Sequence, residues 1–132
     1  EFEMGLLSDG YRKLAMIVYL ILSGSMNKNT ILFWDEPEAN VNPLYISIIV
    51  DLLLELQRKD VQIFISTHDY MLASYFEVKK TAEDHLLYHS LSHSGKKAVL
   101  EYEKSERFSE LKNNKIIEAF NKLLDEIYNM EV

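Results

Sequence analysis

Cysteine is absent from the 132 residues of this chain, and long apolar runs are absent too. Without cysteine the chain has no disulfides and no thiolate metal ligands, which favours a reducing, cytoplasmic setting, as does the lack of a signal-peptide pattern. The longest apolar run, Leu14–Leu22, is well short of the roughly 18 residues that a membrane-spanning helix needs. The sequence therefore predicts no membrane segment.

Glycine, proline and positive charge are scarce. Four Gly and two Pro leave few positions where regular elements must end, and 48% hydrophobic with 27% charged residues is typical of a globular protein. The formal net charge is -7, so the chain as a whole would repel nucleic-acid phosphates. We expect one compact α/β unit, and we expect any contact with DNA to be made by other domains.

Short apolar runs alternate with stretches of helical periodicity. Two apolar runs, at residues 30–34 and 61–66, are separated by one helical pattern at 43–58, which predicts a β-α-β unit with parallel strands buried on both faces. Other patterns predict, in chain order, helices at 9–23 and 69–76, a hairpin from 86–91 and 97–102, and an amphipathic helix over 116–128. This order predicts an α/β fold.

Two carboxylates follow directly after the first predicted strand. Four apolar residues, Ile31–Trp34, lead into Asp35 and Glu36, which is a Walker B pattern. Because a parallel strand ends at the edge of the sheet where α/β folds bind ligands, Asp35 is suited to hold Mg²⁺, directly or through water. Glu36 is suited to orient or deprotonate a water that attacks a γ-phosphate. The alternative is a strand that simply ends in an acidic turn.

The tripeptide that begins at Asp35 resembles the Asp-Glu-Pro of ATP-binding-cassette ATPases, and three further motifs of that family follow its order. Residues 7–11 read Leu-Ser-Asp-Gly-Tyr and resemble the signature Leu-Ser-Gly-Gly-Gln. Residues 66–69 resemble the switch region, whose histidine, here His68, contacts the γ-phosphate. Residues 38–43 occupy the D-loop position, with Asn42 where transporters carry Asp. The chain is most similar to the non-transporter branch: overcoming-lysogenisation-defect nucleases, recombination and SMC-type ATPases, and prokaryotic defence ATPases.

The signature-like segment also has a physical interpretation of its own. Ser8 is placed as the N-cap of the first helix, and its hydroxyl, the Gly10 amide and the helix N-terminus together suit a γ-phosphate. Asp9 is unfavourable beside a phosphate unless its side chain points away or bonds neighbouring donors, and the nearby cations Arg12 and Lys13 are suited to compensate its charge. An ordinary Ser-capped helix with a flexible glycine is the alternative.

The resemblance covers roughly residues 5 to 76 and implies a partial P-loop NTPase fold that uses ATP and Mg²⁺. It also implies a homodimer that forms through the signature and D-loop surfaces. In that dimer Ser8 and Gly10 contact the ATP bound by the partner. Asp35, Glu36 and His68 act on the ATP bound by their own chain. No G-x-x-x-x-G-K-[ST] sequence occurs. We therefore expect the whole chain to be the C-terminal portion of one ATPase domain, inactive alone, with its P-loop on an N-terminal segment outside it.

Three functions stay open at this point. The preferred hypothesis is ATP hydrolysis in DNA-repair or defence processes, and the second is a non-catalytic dimerisation or regulatory module without a P-loop. The third is the nucleotide-binding subunit of a transporter, against which Asp9 and Asn42 weigh. A metal site at His85, His89 and His93 is disfavoured, because four-residue spacing aligns side chains on a helix and this stretch is strand-like.

Overall fold

The computed structural model describes residues 9–94 and 99–130, and the chain divides into two compact units, Glu1–Asp84 and His85–Val132. The described elements of the first unit are α1 (Asp9–Leu22), β1 (Ile31–Asp35), a 3₁₀ turn (Pro43–Tyr45), α2 (Ile46–Arg58), β2 (Gln62–Ser66) and α3 (Tyr70–Lys79). The predicted α/β class is confirmed, whereas the expectation of one compact unit is wrong, because the chain forms two. Within these two described ranges, no helix is both long enough and apolar enough to cross a membrane.

Strands β1 and β2 pair in parallel, as the predicted β-α-β unit requires. The register sets Ile31 opposite Gln62 and Asp35 opposite Ser66. Both strands therefore end at the same edge of the sheet, and the last residue of one lies beside the last residue of the other.

Helix α2 is the centre of the hydrophobic core of the first unit. Its apolar positions recur at helical spacing, and its fully buried side chains are Ile49, Val50, Leu53, Leu54 and Leu56. Burying one such side chain stabilises the fold by about 1.5 to 3 kcal/mol. The helix was predicted to begin at Pro43, but its first turn is 3₁₀, where the Asn42 side chain accepts a hydrogen bond from Leu44 N–H at 3.0 Å.

The prediction that both strands are buried on both faces is wrong for the first unit. Leu32 and Trp34 point toward the helices and line a small cavity with Leu56. On the opposite face Phe33 is 73% exposed and Phe64 is 46% exposed, and their rings stack with centroids 5.0 Å apart. An apolar run shows which side chains avoid water, whereas the layers that cover a sheet are decided by tertiary structure.

An ion pair links the C-terminal end of α2 to the loop after α3. Arg58 Nε and Nη2 each donate a hydrogen bond of 2.8 Å to the Asp84 carboxylate. Thr81 donates two more, from its backbone N–H at 2.7 Å and its hydroxyl at 3.0 Å. The hydrogen bonds from Arg58 are the main reason that the pKa of Asp84 is lowered to about 2.

The second unit contains the predicted hairpin and last helix. Strands β3 (Tyr88–Ser94) and β4 (Val99–Ser105) pair antiparallel, a 3₁₀ turn follows at Phe108–Glu110, and α4 spans Lys115–Met130. The buried Asn114 side chain accepts hydrogen bonds from the N–H groups of Ile116 and Ile117 in the first turn of α4, at 3.1 and 3.2 Å, as a helix N-cap does. Since His89 and His93 lie on β3, the strand-like interpretation of that stretch is confirmed.

Candidate functional site

The carboxyl edge of the parallel sheet brings together three of the predicted site residues. Asp35 ends β1 and accepts a hydrogen bond from the hydroxyl of Ser66, which ends β2. The next residue, Glu36, donates its backbone N–H to the Ser66 carbonyl at 2.9 Å. Glu36 Oε1 lies 2.9 Å from Nδ1 of His68, whose side chain is 78% exposed. Residues that are distant in sequence thus form one accessible cluster.

The backbone of Glu36 has an unusual conformation. Its φ is 46°, in the left-handed region that glycine, asparagine and aspartate tolerate better than glutamate. This conformation costs about 1 to 2 kcal/mol for a residue with a Cβ. Backbone strain of this kind concentrates at functional sites, where it sets the direction of a side chain. Here it accompanies a carboxylate aimed at His68.

A second contact joins the two loops that carry Glu36 and His68. The Thr67 hydroxyl donates to Glu38 Oε1 at 2.5 Å and accepts from Asp69 N–H at 3.0 Å. The Asp69 side chain in turn caps α3 by accepting from Leu72 N–H at 2.6 Å. His68 therefore lies between two anchored neighbours. The roles of Thr67 and Glu38 were not predicted from the sequence, because only the pairing of β1 with β2 brings the two residues together.

Of the predicted phosphate-binding segment, Ser8 lies outside the described residues and Gly10 lies buried near the start of α1. A Cβ at residue 10 would meet the Asn40 carbonyl oxygen at 2.8 Å and the Val41 Cα at 3.1 Å. Glycine is thus required for the close approach of α1 to the loop after β1. Gly10 therefore has a packing role in the structure. That Ser8 and Gly10 bind phosphate remains a prediction.

The cations near Asp9 have different partners. Arg12 Nη1 lies 3.6 Å from Asp9 Oδ1, an exposed pair one turn apart, as the sequence suggested. Lys13 instead extends to the loop after β1, where its Nζ donates to the Ala39 carbonyl at 2.7 Å and the Glu36 carbonyl at 3.2 Å. The prediction that Lys13 compensates Asp9 is therefore wrong, because the packing of α1 directs it to these carbonyl groups.

The side chains at this edge fit a magnesium ion only in part. Asp35 supplies a carboxylate and Ser66 a hydroxyl, which are oxygen groups of the kind that Mg²⁺ prefers. No cluster of three or more His, Asp or Glu residues able to hold a metal lies within residues 9–94 and 99–130. The donor set therefore suits a cation that keeps several waters and takes further oxygen ligands from a bound phosphate.

A protein family matches the part of the chain that holds this cluster. The family is described as "AAA domain, putative AbiEii toxin, Type IV TA system", and it matches residues 1–74, more than half of the 132. The matched region includes both parallel strands and His68. No curated protein matches the sequence.

Proposed function

This chain belongs to the AAA domain family, and we propose that it contributes the Walker B and switch residues of a site that hydrolyses ATP. The family is of the nucleotide-binding ATPase type, and the parallel strands with flanking helices are consistent with a partial P-loop NTPase fold. One observation carries the proposal. Glu36 and His68 are in contact at the carboxyl edge of the sheet, directly beside Asp35.

Each residue of the cluster has a proposed role that follows from its chemistry. Asp35, together with phosphate oxygens and water, would hold Mg²⁺, which neutralises charge on the phosphates. Glu36 orients the attacking water and accepts its proton. His68 donates a hydrogen bond to a γ-phosphate oxygen. Because Glu36 Oε1 and His68 Nδ1 are 2.9 Å apart, a phosphate bound to His68 would lie close to the carboxylate that activates water.

We place this site in a homodimer that closes on ATP through signature and D-loop surfaces. The buried contact of Gly10 with residues 40 and 41 supports this arrangement, because it joins the signature-like helix and the D-loop of one chain into a continuous surface. Ser8 and Gly10 would then contact ATP held by the partner. Nucleotide binding in this scheme also needs a P-loop, and no Walker A sequence occurs in these 132 residues.

The proposed biological setting is DNA repair or defence rather than transport. Asn42, which stands where transporters carry Asp, accepts a hydrogen bond from Leu44 N–H and so begins the 3₁₀ turn before α2. An aspartate would accept the same hydrogen bond, so the support for this setting is the resemblance of residues 35–43 to the non-transporter branch. DNA contacts, in this proposal, belong to other domains, since the chain carries a net charge of -7.

The test compares Glu36→Gln with the wild type in the complete protein that carries a P-loop, measuring ATP hydrolysis and size with ATP present. We expect kcat to fall by about 10²-fold or more and ATP-bound dimers to accumulate. Glu55→Gln, at an exposed glutamate on α2, is the matched control and should behave as wild type. Unchanged hydrolysis in Glu36→Gln would contradict the catalytic role, and turnover by the 132-residue chain alone would contradict its need for a P-loop.

A further inference from the structure

A lysine from α1 reaches a turn that is part of the candidate site. Residues 36–39 form this turn, which is closed by a hydrogen bond of 3.0 Å from Ala39 N–H to the Glu36 carbonyl. Lys13 Nζ donates to the carbonyl groups of both Glu36 and Ala39, at 3.2 and 2.7 Å. The lysine side chain is half-buried, so a charged donor bridges the first and last residues of the turn where water only partly competes.

The backbone of Glu36 is held from two sides. Its N–H donates to the Ser66 carbonyl of β2 at 2.9 Å, and its carbonyl accepts from Lys13 of α1. Its φ of 46° is unfavourable for glutamate and persists only where neighbouring groups hold it. If the lysine amine is removed, the Glu36 carbonyl keeps only the hydrogen bond from Ala39 N–H within its own turn, and its link to α1 is lost. The Glu36 carboxylate would then be held less firmly toward His68.

The position of α1 explains why this lysine reaches the turn. Gly10 and Lys13 are three residues apart and share one face of the helix. Gly10 allows that face to approach the Asn40 backbone closely, since a Cβ there would be 2.8 Å from the carbonyl oxygen. On the neighbouring side the hydroxyls of Tyr11 and Tyr45 are hydrogen-bonded at 3.0 Å. Contacts on both sides of Lys13 thus fix the helix against the loop.

We propose that Lys13 is a positioning residue for the hydrolysis reaction, an inference that rests on the ATPase function proposed above. Lys13 holds the Glu36 backbone in its left-handed conformation and so keeps the Glu36 carboxylate beside His68. It acts through Glu36 and contacts neither the phosphate nor the attacking water. Since Lys13 lies on α1 two residues after the signature-like segment, it also joins that helix to the Walker B loop of its own chain.

The test measures steady-state ATP hydrolysis by variants of the complete protein. Lys13→Met keeps the apolar stem and removes the donor, and we expect kcat to fall about tenfold or more with KM for ATP within about twofold. Lys13→Arg, which keeps a charged donor, should recover most of the rate, and Lys13→Gln should be intermediate. Lys28→Met, at an exposed lysine in the loop after α1, is the matched control and should change neither constant.

A double-mutant cycle separates positioning of Glu36 from general stabilisation of the loop. Single-turnover hydrolysis is compared in Glu36→Gln and in Glu36→Gln combined with Lys13→Met. If Lys13 acts through Glu36, the second substitution causes little further loss. If Lys13→Met lowers the rate equally in wild type and in Glu36→Gln, Lys13 does not act through Glu36. The positioning role is also wrong if Lys13→Met and Lys13→Gln keep the wild-type kcat while Glu36→Gln is impaired. Either result overturns the role of Lys13 and leaves the proposed ATPase function standing. If Glu36→Gln itself hydrolyses ATP normally, the proposed function fails and this inference fails with it.

Discussion

Replacing Asp84 with asparagine is expected to destabilise the first unit by about 2 kcal/mol at neutral pH. The Asp84 side chain is 0% exposed and accepts four hydrogen bonds, two from Arg58 and two from Thr81. These contacts lower its pKa from 3.8 to about 2, and each pKa unit corresponds to about 1.4 kcal/mol. The Arg58 side chain is 35% exposed, so in the variant water can hydrogen-bond to the guanidinium that has lost Asp84. We therefore expect a loss of stability of about 2 kcal/mol, a little less than the pKa shift alone implies.

The effect should depend on pH in one direction. The folded-state pKa of Asp84 is below its unfolded value, so the unfolded chain takes up the proton first as the pH falls. The stabilisation is therefore fully present above about pH 5 and is lost as the pH falls through 3.8 toward 2. The asparagine side chain of the variant does not titrate, so the difference in stability between wild type and variant should shrink over this range.

The assay is urea unfolding followed by the fluorescence of Trp34, the single tryptophan of the chain, which lies on β1 in the first unit. Asp51→Asn is the matched control, because Asp51 forms a more exposed ion pair with Lys79 at 2.5 Å. Loss of that pair should cost about 0.5 kcal/mol or less. Equal midpoints for wild type and Asp84→Asn at pH 7, or a difference that persists unchanged near pH 2, would refute the argument.

Two further substitutions test the backbone of the site by the same assay. Gly10→Ala gains about 1 kcal/mol in helix propensity, but its Cβ would lie 2.8 Å from the Asn40 carbonyl oxygen. The resulting shift should cost about 1 to 3 kcal/mol, so we expect a lower urea midpoint, and an increase would show that the contact relaxes freely. Glu36→Asn relieves the strain at φ 46° and should leave stability equal or higher by up to about 1 kcal/mol, with hydrolysis lost. A clear loss of stability would show that the glutamate is not strained.

Much of the framework of the site could be predicted from local patterns. An apolar run followed by two carboxylates placed Asp35 and Glu36 at a strand end, and the second apolar run placed His68 after the neighbouring strand. The helical period of residues 43–58 identified the helix between the strands. These predictions succeeded because periodicity and strand length are properties of short segments, and because parallel pairing puts both strand ends at one edge.

The contacts between segments could not be predicted in the same way. Local patterns gave no sign that Thr67 bonds Glu38 or that Lys13 reaches the turn after β1 rather than Asp9. The left-handed conformation of Glu36 was also missed, because glutamate has no intrinsic preference for it. Each of these features depends on atoms that are distant in sequence.

Sequence alone therefore determined the order of elements, the parallel pair of strands and the identity of the carboxylates and histidine at their ends. Tertiary structure decided which face of the sheet is covered, where Lys13 donates and how Glu36 is turned toward His68. The physical reason is that burial and helical period are encoded in the spacing of apolar residues along the chain. A hydrogen bond between distant segments instead depends on how closely two backbones approach, as α1 does at Gly10.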